Sequence, residues 1–355
     1  MHRFTRRKML KLIGAGSVLL LSNQDDKKPD PKYVTHDAEI QFHCTANYPQ
    51  RWKQVYESTL EAFSNKWGKV GPTHVFLIEN DDWQSTKNSA ERKTELEKSQ
   101  AELKRLTSKL LGQDSDGSHF DWVTGNHWSS WSIRPENLLI TMTMTPDRDG
   151  EQFVIGPMHE YVHAIQIAFG YAAEAIDGNR MGHALWTGPA WWREGSAVIT
   201  AALFAFQHPE LFKKLENPYS WRKFSGEMNR NLEFYQKAKT PLQEGVTHND
   251  WQRLEPKELV YPVIYAGGSI ACSLLLKKSG SLENFMMFYR LVPKLGWEKA
   301  FEEHFKLTLS AFYKEFESLV ATAEIQTNTD SPKKNMFHFL SEIKPTEGNA
   351  QLGGK

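Results

Sequence analysis

Residues 159–163 read His-Glu-Tyr-Val-His and lie within the largely apolar run 156–169. If this run is helical, His159 and His163 are at positions i and i+4 and project from the same face, about one turn apart. The pattern suits zinc, because two neutral imidazoles hold the ion while Glu160 reaches a bound water without occupying a coordination position. The stretch therefore predicts a metal site on a helix. The alternative is a histidine pair on a helix surface that binds no metal.

The composition is that of an ordinary globular protein, with 40% hydrophobic and 24% charged residues in a chain of 355. The 43 basic and 43 acidic residues are unevenly distributed, because residues 1–22 contain five basic residues and no acidic one. The rest of the chain is therefore slightly acidic. Nothing in this charge distribution indicates a nucleic-acid partner.

The N-terminal segment, residues 1–22, predicts an export signal. A basic stretch from Arg3 to Lys11 precedes ten mostly apolar residues, 12–21, which are too few to span a bilayer. Residues 5–11, Thr-Arg-Arg-Lys-Met-Leu-Lys, resemble the bacterial twin-arginine export pattern. We therefore expect export to the periplasm or the cell exterior, with an ordinary export signal as the alternative. Membrane attachment is expected only if the signal stays uncleaved. Residues 23–32 predict a solvated linker.

The chain contains two cysteines, Cys44 and Cys272, so it has no disulfide framework and no cysteine-rich zinc site. We expect buried free thiols, one in a strand and one in a helix. A single bridge between them is the alternative that an export compartment permits.

The N-terminal part of the chain mixes strand and helix patterns. Residues 115–135 are rich in Gly, Ser, Asp and Trp and predict a loop. Its side chains His127, Trp128 and Trp131 either line a cleft or cover the core of the domain. We expect strands at residues 38–44, 75–78 and 138–145, and helices at residues 48–67 and 91–111.

From residue 152 onward the pattern is helical almost throughout. We expect helices at residues 152–169, 189–206, 221–237, 262–278, 282–291, 297–305 and 309–323. This shift predicts an α+β fold with two lobes rather than a repeating βαβ sheet. The predicted parts are an N-terminal α/β lobe (33–150), a helical lobe (151–325) and a flexible tail (326–355) with one apolar cluster, 336–340.

A catalytic zinc site uses three protein ligands and one open position, so a third ligand must come from elsewhere in the chain. Gln166 and Phe169 stand where the metzincin pattern requires Gly and His, which excludes that pattern. Glu174 and His183 follow the histidine pair and remain candidate ligands.

Glu194 is the better candidate for the third ligand. Pro189 predicts the start of a helix, which places Glu194 in the early turns, where the helix dipole favours its charge. Gly195 leaves room for another backbone to approach closely. A glutamate that serves only the helix dipole is the alternative.

Three motifs in this order resemble those of gluzincin metallopeptidases. Residues 191–197, Trp-Trp-Arg-Glu-Gly-Ser-Ala, are similar to the Trp-x-x-Glu-Gly-x-Ala segment of the aminopeptidase N and peptidase-MA-like families. Residues 159–166 resemble the His-Glu-x-x-His-x-x-Gln helix of peptidase-MA-like proteins. Residues 265–268, Tyr-Ala-Gly-Gly, begin 71 positions after Glu194 and resemble the Tyr-x-x-Gly that opens a helix in the aminopeptidases. The resemblance covers roughly residues 137–320.

The resemblance implies a thermolysin-like, two-lobed gluzincin fold, with a small mixed sheet, an edge strand and helices followed by a mostly helical lobe. It implies that His159, His163 and Glu194 bind one Zn²⁺, and that Glu160 is the general base. It also implies that Tyr265 stabilises the transition state; Tyr261 is the alternative donor.

The sequence departs from the aminopeptidases in two places. The strand at 138–145 contains no acidic residue and no Gly-x-Met-Glu-Asn segment, which those enzymes use to hold the free amine of the substrate. The interval between the second histidine and Glu194 is longer, so residues 171–187 are expected to form an inserted loop. We therefore expect an exported zinc endopeptidase acting on proteins or peptides. The alternative is an inactive peptidase-like binding module for cell-surface or extracellular polymers.

Overall fold

One small sheet and a succession of helices make up the described chain. The computed structural model describes residues 39–44, 48, 50–70, 73–79, 101, 105, 127–134, 137–144, 151–177, 188–212, 220–238, 242, 261–323 and 337–343. The strands are β1 (Ile40–Cys44), β2 (Thr73–Glu79), β3 (His127–Arg134) and β4 (Asn137–Met144). The α-helices of the described chain are α1 (Gln50–Trp67), α2 (Glu151–Asp177), α3 (Ala190–Gln207), α4 (Trp221–Ala238), α5 (Gly268–Ser279), α6 (Leu282–Met287), α7 (Val292–Leu295), α8 (Trp297–Phe305), α9 (Leu309–Thr322) and α10 (Phe339–Glu342).

The sheet is mixed and has the strand order β1-β2-β4-β3. β1 and β4 both run parallel to β2, whereas β3 pairs antiparallel with β4 at the edge. Helix α2 packs against β3 and β4, so the sheet supports the helix that contains the His-Glu-x-x-His motif. The three predicted strands are confirmed. The predicted loop is wrong for residues 127–134, which form β3 by pairing with β4.

The helical part follows the predicted pattern closely. Helices α3, α4, α8 and α9 lie within one residue of the predicted bounds. Helix α2 continues to Asp177, so residues 171–177 are helical and not part of an inserted loop. The helix predicted at 262–278 begins as a π-helical turn, Tyr261–Gly267, before α5. With one small sheet and a helical majority, the described chain is compatible with the α+β class.

Helix α1 packs against α2, the helix that contains the His-Glu-x-x-His motif. One apolar face of α1 is buried, and Phe63 on it packs edge-on against the ring of Tyr161. The Tyr161 hydroxyl accepts a hydrogen bond from the Val70 amide (3.0 Å) and donates one to the Gly68 carbonyl (3.3 Å). This side chain therefore ties α2 to the chain just after α1.

A second aromatic cluster holds α3. Trp192 is fully buried and lies 4.6 Å, centroid to centroid, from Phe288 and 5.4 Å from Phe285. The indole of Trp191 stacks on Phe312 of α9. The start of α3, which precedes Glu194 directly, is thereby fixed by side chains from several later helices.

Several predictions concern the cysteines and the chain ends. Cys44 in β1 and Cys272 in α5 are both free, as expected; Cys272 is buried, whereas Cys44 is only half-buried.

Within the tail, Phe337 and Leu340 of the apolar cluster are buried. Of the helix predicted at 91–111, Ala101 and Arg105 are helical. The export signal, the linker and the rest of the tail lie outside the described residues, and all the domain boundaries stay predictions. No described helix has the length and apolar character needed to cross a membrane.

Candidate metal centre

The two histidines of the motif meet on one face of α2. Because α2 is helical through residues 159–163, the rings lie one turn apart, and the Nε2 atoms of His159 and His163 are 3.0 Å from each other. Their rings are edge to face, with centroids 4.7 Å apart. Both imidazoles therefore present the same nitrogen to the same point.

Glu194 reaches this point from α3. The helix begins directly after Pro189, whose extended backbone (φ −65°, ψ 156°) turns the chain into it. The Oε2 atom of Glu194 lies 3.5 Å from His159 Nε2 and 3.3 Å from His163 Nε2. These three residues are the one group within the described part of the chain whose ligand atoms cluster as a metal site requires. The alternative ligand His183 and the side chain of Glu174 lie outside the described residues.

The separations of the three ligand atoms fit a small tetrahedral ion. A zinc ion with bonds of about 2.1 Å holds neighbouring ligand atoms roughly 3.4 Å apart. The three observed distances are 3.0, 3.3 and 3.5 Å. Two imidazoles and one carboxylate also match the ligand types of catalytic zinc sites, which leave one position open. The residues therefore fit one Zn²⁺.

The pKa values of Glu194 and His163 are shifted because the two side chains lie close together. Burial raises the pKa of Glu194, but the charge of His163 and the hydrogen bonds from both histidines outweigh this and hold it well below its usual range. Burial lowers the pKa of His163, but Glu194, Glu160 and Gln166 together raise it to about 9. The carboxylate of Glu194 is therefore ionised beside His163. A cation bound by these groups would compete with the proton on His163.

Two glycines bring Tyr265 next to this group. A Cβ on Gly195 would lie 2.2 Å from the carbonyl oxygen of Gly268, and a Cβ on Gly268 would lie 2.3 Å from the Trp191 carbonyl oxygen. Helix α3 therefore touches the junction of the π-helical turn and α5 backbone to backbone, as expected for Gly195. Tyr265 lies on this turn. π-helical turns occur frequently at functional sites.

Tyr265 and Glu160 complete the group. Burial, the charges of Glu194 and Glu160, and a hydrogen bond to Glu194 all raise the pKa of Tyr265, so its hydroxyl stays protonated at neutral pH. Glu160 is 5% exposed, and its charge contributes to raising the pKa of both His163 and Tyr265. Glu160, the predicted base, and Tyr265, the predicted hydroxyl donor, therefore both interact electrostatically with this group of side chains. The side chain of Tyr261, the alternative donor, lies outside the described residues.

The sequence interpretation missed a hydrogen-bond network behind the histidines. The side chain of Gln166 contacts His163 through its oxygen, and Ser196 and Tyr289 through its nitrogen. Gln166 is the last residue of the His-Glu-x-x-His-x-x-Gln motif, but the sequence predicted no function for it. Its position three residues after His163, on the same helix face, is the signal that indicates the contact.

Comparison of the chain with protein-family models, with curated proteins and with solved structures finds no match.

Proposed function

We propose that the chain is a zinc-dependent peptidase that hydrolyses peptide bonds within proteins or peptides. The observation that carries the proposal is the convergence of His159 Nε2, His163 Nε2 and Glu194 Oε2, with Glu160 and Tyr265 beside them. A structural zinc needs neither a second buried carboxylate nor a tyrosine hydroxyl at its ligand. The five groups together therefore favour catalysis over a purely structural site.

Each of the five residues would have its own role in the hydrolysis of a peptide bond. The Nε2 atoms of His159 and His163 and the carboxylate of Glu194 would hold the ion. A zinc ion bound there lowers the pKa of a water molecule and polarises the scissile carbonyl. Glu160 accepts a proton from the attacking water on its carboxylate and later returns it to the leaving amine nitrogen. Tyr265 donates its hydroxyl hydrogen to the oxyanion that develops on the former carbonyl oxygen.

The wider proposal follows the sequence resemblance. The chain would be a gluzincin with two lobes, related to peptidase-MA-like proteins and exported through a twin-arginine-like signal. Endopeptidase activity is proposed because the amine-holding segment of aminopeptidases is absent from the sequence at 138–145. The proposed partner is a protein or peptide substrate, with no nucleic acid. Membrane contact would occur only through an uncleaved signal.

The test combines metal analysis with cleavage of a broad peptide library by the purified protein. We expect one zinc per chain and metal-dependent cleavage. Glu160→Gln should retain zinc and lose activity by roughly 10²–10⁴-fold, the usual contribution of a general base. Glu303→Gln is the matched control, because Glu303 lies on the exposed face of α8 and should leave both properties unchanged. Absence of zinc from the wild type would refute the site.

Two further results separate the alternatives. Stoichiometric zinc without cleavage of any peptide, in the wild type and in Glu160→Gln alike, would instead support the binding-module interpretation. Glu194→Ala should greatly weaken zinc binding, because it removes the anionic ligand. If Glu194→Ala keeps full affinity while His183→Ala loses it, the third ligand has been misassigned.

A further inference from the structure

The side chain of Gln166 lies between the two helices that contain the ligands. Its Oε1 atom is 2.9 Å from Nδ1 of His163 on α2, and its Nε2 atom is 3.0 Å from the carbonyl oxygen of Arg193 on α3. Arg193 is the residue directly before Glu194. One amide group therefore connects a histidine ligand to the backbone beside the carboxylate ligand.

The surroundings allow one orientation of this amide. A backbone carbonyl can only accept, so the atom of Gln166 facing the Arg193 oxygen must be the nitrogen. The nitrogen also lies 3.0 Å from Ser196 Oγ and 3.2 Å from the Tyr289 hydroxyl, which are themselves 2.9 Å apart. Gln166, Ser196 and Tyr289 are all buried, so reversing the amide would set two acceptors against each other out of reach of water.

The orientation of the amide determines which nitrogen of His163 is free. With Oε1 of Gln166 facing Nδ1, that nitrogen must carry the hydrogen and donate it. The lone pair of the neutral ring is then on Nε2, the atom that lies 3.0 Å from His159 Nε2 and 3.3 Å from Glu194 Oε2. The carbonyl of Arg193 thus selects, through Gln166, the His163 tautomer that can bind metal at this point.

We propose that Gln166 is a positioning residue for metal binding, which fixes the tautomer and ring orientation of His163 and sets its spacing from Glu194. The inference rests on the proposed zinc site. Partners of this kind behind a metal-binding histidine typically change affinity by 10–100-fold when they are removed. Ser196 and Tyr289 hold the amide and have no contact of their own with His163 among the hydrogen bonds of the described residues.

The test measures the zinc dissociation constant of the full chain by competition with a chelator. Gln166→Met removes the hydrogen bonds to His163 and to the Arg193 carbonyl while nearly keeping the side-chain volume. Gln166→Asn keeps an amide group, but its side chain is too short to reach both helices. Both variants should bind zinc about 10–100-fold more weakly than the wild type. The control is Asn231→Leu, which also deletes a buried amide, one whose hydrogen bond goes to Ser269 Oγ (2.9 Å) and to none of the ligands. Its affinity should stay within about threefold of wild type.

A second measurement reports the tautomer directly. In the cobalt-substituted protein, the exchangeable ring hydrogens of His159 and His163 give shifted proton resonances. Loss of the Gln166 acceptor exposes the His163 Nδ1 hydrogen to exchange, so one resonance should broaden or vanish in both Gln166 variants and persist in Asn231→Leu. If only one Gln166 variant folds, it carries the test alone. Wild-type affinity and both resonances in a Gln166 variant would overturn the inference while leaving the proposed function intact. A wild type that binds no zinc would overturn the proposed function itself.

Discussion

Replacing Gly195 by alanine tests whether the backbone contact between α3 and α5 holds the site together. The new Cβ would lie 2.2 Å from the oxygen, 2.3 Å from the carbonyl carbon and 2.8 Å from the Cα of Gly268. Ordinary contacts begin at 3.4 Å, so the two backbones must separate by about 1 Å. The obstacle is backbone on both sides and cannot relax by choosing another rotamer. Overpacking of this severity costs about 3 kcal/mol, the upper end of the usual range.

Alanine also has an intrinsic advantage over glycine in a helix, of about 1 kcal/mol, so the net destabilisation of Gly195→Ala is about 2 kcal/mol. Gly226 provides the matched control, because it lies inside α4 with nothing within 4 Å of an added Cβ. Gly226→Ala should therefore stabilise the protein by up to about 1 kcal/mol. The propensity term is common to both variants, so their difference of about 3 kcal/mol isolates the steric clash.

The assay is urea unfolding of the metal-free protein, which removes any contribution from metal binding to the measured stability. Because Glu194 directly precedes Gly195 and Tyr265 lies on the turn before Gly268, Gly195→Ala should also weaken zinc binding, whereas Gly226→Ala should not. If the two variants differ in unfolding free energy by less than about 0.5 kcal/mol, the close approach does not constrain the fold and the reasoning is wrong.

Two further predictions concern the helices around the site. Lys66 Nζ lies 2.7 Å from Glu283 Oε1, and both side chains are nearly buried, so Lys66→Met should cost about 2–4 kcal/mol in urea unfolding. The double variant with Glu283→Leu should recover much of that loss, and simple additivity of the two single variants would contradict a coupled pair. Burial, and the nearby charge of Lys306, lower the pKa of His304, so below about pH 6.5 the unfolded chain gains its proton first and stability falls with the pH. The stability of His304→Leu should fall less between pH 6.5 and pH 5, and equal slopes would show that His304 does not titrate differently on folding.

The helices and the clustering of His159 with His163 could be predicted from the sequence because their signals are local. The start of α3 follows from Pro189, and the pairing of His159 with His163 follows from a spacing of four residues. The choice of Glu194 needed a pattern beyond local spacing, yet its position in the early turns of a helix was already indicated by Pro189.

The features that were missed depend on distant partners. Residues 127–134 contain three serines and read as a loop, but pairing with β4 makes them a strand, since strand preference depends strongly on context. The helix predicted at 152–169 ends before Gly170, but a glycine costs only about 1 kcal/mol in a helix, and α2 continues past it to Asp177. The network of Gln166 joins residues 123 positions apart, which no local pattern encodes.

The described contacts that hold the helices around the site are made by protein groups. Helix α2 is tied to the chain after α1 by the Tyr161 hydroxyl, and α3 is fixed by the ring of Trp192 among its aromatic neighbours and by the Gly195 contact. Gln166 then joins the two helices behind the ligands. A site whose ligands are held by such contacts differs from a zinc finger, in which metal binding supplies the folding free energy. In the proposed zinc site, the protein would therefore set the spacing of the three ligand atoms, and the binding energy of the ion would contribute to its affinity.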